Sequence, residues 1–260
     1  MAGRRKLRRG IYLLPTLFTT GNLCCGFFSL IESARGRYDH AAILVIVAGV
    51  LDGLDGRIAR LTGTTSEFGV EFDSLADIAS FGIAPAFLAY EWALEPFHRV
   101  GWLVAFVFVA CAATRLARFN IQHGSVDKKF FVGLPSPAAA GMIAAVAFAF
   151  PDPPTQLGWS VLVGVLVATV AFLMVSRVRY RSFKGFDLRS RRSYLTVPLL
   201  VVALVAVLSH PHSIMILAAV YVLWGPSVWF ATWLTRGRAV AQGDDAPSSA
   251  EEAAHGSAAR

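Results

Sequence analysis

Four aspartates stand within 26 residues of an otherwise oily stretch, and their spacing is the first sign of chemistry in this chain. The segment reads Asp52-Gly53-Leu54-Asp55-Gly56-Arg57-Ile58-Ala59-Arg60, then eight residues, then Gly69-Val70-Glu71-Phe72-Asp73-Ser74-Leu75-Ala76-Asp77. Asp52 and Asp55 are three apart, and Asp73 and Asp77 four apart, so on helices each pair shares one face. Two such faces brought together make a nest of four carboxylates, an all-oxygen site suited to Mg2+ or Mn2+. Apolar runs flank the motif on both sides, and carboxylates beside a membrane core are costly, so these are expected to serve function. Gly56 leaves room for a bulky phosphate to approach backbone. Arg60, one turn on, has the fork geometry for two-point phosphate contact. Ala59 keeps that face shallow, and Gly69 is expected to let the third helix come close to the second. Two cations held by the acids would clamp a diphosphate for in-line displacement, with a carboxylate at the edge of the cluster taking a proton from an attacking hydroxyl.

The elements that must hold these groups are membrane helices. The chain has 260 residues, 55% of them hydrophobic and 16% charged, where a soluble domain carries about 25% charged residues. We expect an all-α integral membrane protein with about eight transmembrane helices, at roughly 12–32, 40–56, 69–92, 99–118, 135–151, 158–176, 195–209 and 213–235. Pro135 and Pro137 suit the start of the fifth. With the amino terminus inside, 21 of the 24 Lys and Arg fall on the cytoplasmic side, leaving only Arg35, Arg37 and Arg99 outside. That asymmetry predicts an even number of spans and both termini in the cytoplasm, and it puts Asp52 to Asp77 at the cytoplasmic rim.

The net charge of +7 sits in short clusters between apolar runs, the pattern of loops at an anionic leaflet rather than of a nucleic-acid binder. Cys24, Cys25 and Cys111 lie in apolar runs without zinc spacing. The basic residues at 4–9 precede a long apolar run with no evident cleavage site, so the first helix is expected to be retained. The expected organisation is a basic cytoplasmic amino terminus (1–11), a transmembrane domain (12–235) and a disordered cytoplasmic tail (236–260), which has no large apolar residue after Val240 and cannot bury a core.

The pattern Asp-x2-Asp-Gly-x2-Ala-Arg-x8-Gly-x3-Asp-x3-Asp resembles the signature of the CDP-alcohol phosphotransferases, with every fixed position present. The resemblance implies a six-helix membrane core with a dimetal site on the cytoplasmic side. It also implies roles: Asp52 and Asp73 bridge two metals, Asp55 holds one and Asp77 the other, and Asp77 is the proton acceptor. Gly56, Arg60 and Ser66 would contact the CDP portion. The opening Leu14-Pro15-Thr16-Leu17-Phe18-Thr19-Thr20-Gly21-Asn22-Leu23-Cys24-Cys25-Gly26 is similar to that of the serine-transferring branch, although many relatives have Pro-Asn where this chain has Pro15-Thr16. Thr19 and Asn22 are therefore expected to line the CDP pocket.

Two later stretches resemble the same branch, Thr114-Arg115-Leu116-Ala117-Arg118-Phe119-Asn120 and Phe131-Val132-Gly133-Leu134-Pro135-Ser136-Pro137-Ala138-Ala139. Serine carries an ammonium and a carboxylate, which call for neutral oxygens and an arginine; Arg118, Asn120 and Ser136 are the residues expected to meet it. The resemblance thus implies phosphatidyl transfer from CDP-diacylglycerol to L-serine, releasing CMP, by an enzyme of the cell membrane that forms homodimers. Three rivals remain at this point: a sister transferase using glycerol 3-phosphate or an inositol-type acceptor, a cation-coupled transporter, and a scaffold protein. A transporter should place its acids in a midplane cavity between repeats, and no repeat is evident.

Overall fold

The computed structural model describes residues 2–62, 66–121, 130–176, 178–181 and 212–227, with backbone alone for 2–15, 57, 59–62, 130–132 and 179–181. Helix α1 runs Ala2–Ala34 and α2 runs Tyr38–Thr62. Helix α3, Glu67–Phe97, is one continuous rod with internal changes of pitch, and α4 is Arg99–Ile121. Strand β1, Phe130–Val132, precedes α5, Ser136–Ala149, and α6, Leu157–Val175. Strand β2, Arg179–Arg181, follows, and α7 is His212–Ser227. Six of the expected spans thus have a helix at their place, and a seventh helix occupies the first part of the last one. The expected seventh span, the tail from 236, and the basic segment beyond 181 lie outside the described residues. The basic amino-terminal segment is continuous with α1, whose backbone is helical from Ala2.

One feature departs from the all-α expectation. Strands β1 and β2 pair antiparallel, Phe130 opposite Arg181 and Val132 opposite Arg179. The ribbon joins the segments that leave α4 and α6. Gly133, with φ at +83°, continues it, donating its N–H to the Val178 carbonyl at 2.8 Å. A side chain at Gly133 would run into the Met174 carbonyl, so the close approach itself demands glycine.

This is a membrane protein. Among the described residues α3, α4 and α6 are long and apolar enough to cross a bilayer, and α5 and α7 are shorter apolar helices. Large apolar side chains point outward, among them Phe27 and Phe28 on α1, Trp102 and Phe106 on α4, Trp159 and Phe172 on α6, and Trp224 on α7. Small and polar side chains point inward on α1, while Phe81, Leu88, Phe108, Ile143 and Met174 fill the bundle elsewhere. On α1 the inward stripe is Thr19, Asn22, Gly26, Ser29 and Ser33, all buried. Its three- and four-residue steps keep one face toward the bundle. Helices in lipid gain little from burying oil against oil, so close packing of small residues and interhelical hydrogen bonds hold them together. Ser29 accordingly donates to the Ala41 carbonyl across the α1–α2 contact at 3.0 Å.

The α1–α2 connection is a tight stop. Gly36 takes φ at +73°, the Arg37 N–H bonds the Glu32 carbonyl at 2.9 Å, and the Gly36 N–H bonds the Ser33 carbonyl at 3.0 Å. These two bonds satisfy the last carbonyls of α1. Arg35 and Arg37, two of the three cations expected outside, both pair with Glu32.

Helix α3 widens immediately after Asp77. Residues Ile78–Ile83 form a π-helical segment, in which the Ala84 N–H reaches the Ala79 carbonyl. Pro85 follows and has no N–H to offer the Phe81 carbonyl, which favours the wider turn. Ser80 within this segment packs directly on Gly26 of α1, so close that a Cβ on Gly26 would stand 2.8 Å from the Ser80 Cα. Gly26→Ala should therefore lower stability by about 1–3 kcal/mol, read as an earlier thermal melt in detergent. Gly141→Ala, whose added Cβ meets nothing within 4 Å, should melt no earlier than the native chain, since alanine in a helix interior with space for its Cβ is the better helix former.

Candidate active site

The aspartates belong to two helices whose ends meet. Asp52 and Asp55 lie in α2, which continues past them to Thr62 instead of ending at the motif. Asp73 and Asp77 lie in the first turns of α3. Ser66 starts that helix as its N-cap, its hydroxyl accepting the Gly69 N–H at 3.0 Å. Glycine at 69 serves this cap, since a Cβ there would sit 3.1 Å from the Ser66 hydroxyl. That is a different service from the helix–helix approach expected of it. The Ser66 O–H is exposed and remains a donor.

Carboxylate oxygens of Asp52, Asp55 and Asp73 all lie within 4.8 Å of one another. Asp55 is buried, and one oxygen of Asp73 is buried with no hydrogen-bond partner among the described residues. Three acids at this separation repel one another, and an orphaned buried oxygen wants a cation. The donor set is all oxygen, so the group fits a hard divalent metal such as Mg2+ or Mn2+. Asp77 stands outside the tight triad, within electrostatic range of Asp52, Asp55 and Asp73 and also of Arg115.

Helix α1 reaches both pairs. Thr19 Oγ1 donates to Asp55 Oδ2 at 3.0 Å, and Asn22 Nδ2 donates to Asp77 Oδ1 at 3.4 Å. Both were expected to line a nucleotide pocket; the structure gives them the carboxylates as partners. Gly56 is exposed, and a Cβ there would meet nothing within 4 Å. Open space beside a glycine is consistent with room for a ligand. The side chain of Arg60 lies outside the described residues.

The acceptor candidates separate. Ser136 is buried at the start of α5, and its hydroxyl accepts from Arg115 Nη1 at 2.8 Å. Arg118 donates to the Val175 carbonyl at 3.2 Å, at the end of α6, a favourable place for a cation. Asn120 Nδ2 donates to the Ser74 hydroxyl at 2.9 Å, tying α4 to the helix of Asp73 and Asp77. Arg115 is the residue that sequence reasoning undervalued. Its Nε is buried without a hydrogen-bond partner among the described residues, and it lies in electrostatic range of Asp77, Asp52 and Tyr221 of α7. A signal was present: Gly101, Ala105, Phe108 and Ala112 form the buried stripe of α4, and the next step of that stripe is Arg115, not Arg118.

A sequence profile described as CDP-alcohol phosphatidyltransferase matches residues 12–179. The chain belongs to the CDP-alcohol phosphatidyltransferase family. Three curated relatives are each named CDP-diacylglycerol–serine O-phosphatidyltransferase. The Helicobacter pylori protein is 42% identical over 182 residues, 67% of this chain and 74% of the relative. The Mycobacterium tuberculosis protein is 32% identical over 234 residues, 86% and 78% of the two chains. The Bacillus subtilis protein is 34% identical over 172 residues, 66% and 91%. Membership of this transferase family argues against the transporter and scaffold readings.

Two outcomes test the site. Asp73→Asn should abolish CMP release yet, in EDTA, raise the melting temperature by the equivalent of about 1 kcal/mol, because it removes one of three mutually repelling charges. Gly56→Ala should not lower the melting temperature, since the added Cβ meets nothing within 4 Å, but should slow CMP release by about 10-fold by displacing the donor.

Proposed function

We propose that this chain transfers the phosphatidyl group of CDP-diacylglycerol to the hydroxyl of L-serine, giving phosphatidylserine and CMP. The observation that carries the reading is the convergence of Asp52, Asp55 and Asp73 from two helices, with Asp77 and Arg115 in electrostatic range. The names of the relatives support serine as acceptor.

The residues divide the work. Asp52, Asp55, Asp73 and Asp77 would hold two divalent cations, Mg2+ or Mn2+, whose chemistry is to neutralise the donor's diphosphate and the departing CMP. Gly56 lets the diphosphate approach α2, and Arg60 and the Ser66 hydroxyl contact the CDP portion. Arg115 takes the serine carboxylate through its unused Nε, steadied by Ser136. Asp77 receives the proton of the serine hydroxyl, whose oxygen then attacks the phosphorus attached to diacylglycerol. The bond from that phosphorus to the CMP oxygen breaks, and CMP leaves with the electron pair. Arg118 and Asn120 form the wall of this acceptor pocket, through the α6 terminus and Ser74 respectively.

The wider architecture follows the charge pattern. The chain is read as eight spans, six of them the family core, in the plasma membrane with both termini and the site on the cytoplasmic side. Residues 1–11 form the basic entry to the first helix, 12–235 the transmembrane domain and 236–260 a polar cytoplasmic tail; the assembly is a homodimer. The outward rows on α4 and α6 suit lipid or a second copy.

The test supplies membranes bearing the chain with CDP-diacylglycerol and, separately, labelled serine, glycerol 3-phosphate and inositol phosphate, with and without Mn2+. Serine alone should be incorporated, and only with metal; incorporation of another acceptor in its place refutes the assignment. Arg115→Gln should raise the KM for serine by about 10-fold or more while the KM for CDP-diacylglycerol stays within about twofold, as expected when one charge-assisted contact to a carboxylate is lost.

A further inference from the structure

Helix α1 carries none of the motif's acids, yet it touches both of its carboxylate pairs. Thr19 and Asn22 are three residues apart and face the same way. Thr19 is bound to Asp55 of the first pair, and Asn22 to Asp77 of the second. Both side chains are buried, Asn22 completely.

Helix α1 is itself fixed at this depth. The Asn22 backbone carbonyl accepts the Ser80 hydroxyl at 2.9 Å, and one turn later Gly26 lies against Ser80 without room for a side chain. The same π-helical segment that follows Asp77 therefore clamps the backbone that presents Asn22. On the other side, Gly21 faces Leu51 of α2, next to Asp52, with only 3.3 Å to spare for a Cβ. Thr19 and Asn22 thus hang from a rod registered against both acid-bearing helices.

A carboxylate with one oxygen held by a donor loses its freedom to rotate, and its remaining lone pairs acquire a direction. Metal sites depend on such outer contacts, whose loss typically costs 10- to 100-fold in metal affinity. A purely structural asparagine would satisfy both ends of its amide. Here the Asn22 Oδ1 is buried with no partner among the described residues, so burying the amide is explained by what its N–H does for Asp77.

We propose that Thr19 and Asn22 are positioning residues that orient the two carboxylate pairs for cation binding, and that they do not contact the nucleotide of the donor. The proposal rests on the divalent-cation reading of the site, and not on the choice of acceptor.

The experiment measures Mn2+ binding to the purified full chain in detergent by electron paramagnetic resonance, without substrates. Thr19→Val and Asn22→Leu keep size and remove the donor; each should weaken Mn2+ binding by about 10-fold or more. Thr19→Ser keeps the hydroxyl and should bind within about threefold of the native chain. At saturating Mn2+ the KM for CDP-diacylglycerol should stay within about threefold in all three, on the same outer-contact logic. Native Mn2+ affinity with a raised donor KM would make these residues nucleotide contacts and overturn the proposal. Native values of both would reduce them to packing and overturn it equally. Absence of Mn2+ binding by the native chain would bring down the cation reading itself, which separates the two failures. Thr19→Ala replaces Thr19→Val if the valine variant does not insert.

Discussion

Mutual repulsion among the aspartates is the constraint that the rest of this molecule is built around. Oxygens of three carboxylates lie within 4.8 Å of one another, and like charges this close oppose the packing that brings them together. In a chain this apolar the surroundings offer little screening. The acids are held together because the helices that bear them are locked by contacts elsewhere: the glycine-tight α1–α3 crossing at Gly26 and Ser80, the α1–α2 stop at Gly36, and the serine and alanine faces between α1 and α2. The strain of assembling like charges becomes useful when a cation and a diphosphate enter, since the preformed oxygens then need no reorganisation.

Polarity is arranged from the site outward. Two carboxylates have donors from α1, Arg115 bonds Ser136 between α4 and α5, and the outer faces carry Phe, Trp and Leu. This inversion of the soluble pattern follows from the solvent. Lipid accepts large apolar side chains and rejects unsatisfied polar groups, so the polar chemistry has to be enclosed by helices that complete one another's hydrogen bonds. The π-helical turn after Asp77 belongs to the same logic, because it places Ser80 where it can anchor the α1 backbone beside the acids.

Several parts of this arrangement could be read from residue order. Motif spacing implied that Asp52 pairs with Asp55 and Asp73 with Asp77, since helical periodicity is a local property. Composition implied the membrane, and the two prolines at 135 and 137 marked the start of α5. Other parts were less legible. Thr19 and Asn22 were legible as polar groups of the first helix but not as partners of Asp55 and Asp77, because a polar residue in an apolar run announces a buried partner without naming it. Arg115 and Arg118 were indistinguishable as charges; only the packed stripe of α4 separates the one that faces the site from the one that ends α6. The β1–β2 ribbon joins segments some fifty residues apart, and three-residue strands carry no periodic signal long enough to read.

By itself, then, the amino-acid sequence determined what is local: helix faces, apolar lengths, the charge asymmetry of the loops, and the motif that marks the family. Tertiary structure alone decided which side chains complete one another across helices. It made α1 the partner of both carboxylate pairs, turned Ser66 and Gly69 into a helix cap, and brought Arg115 into electrostatic range of Asp77 while Arg118 went to a helix end. The physical reason is the range of the interactions. Helical periodicity and hydropathy act over a few residues, whereas hydrogen bonds and charge pairs between helices depend on crossings at single glycines, whose depth and register exist only once the bundle is packed.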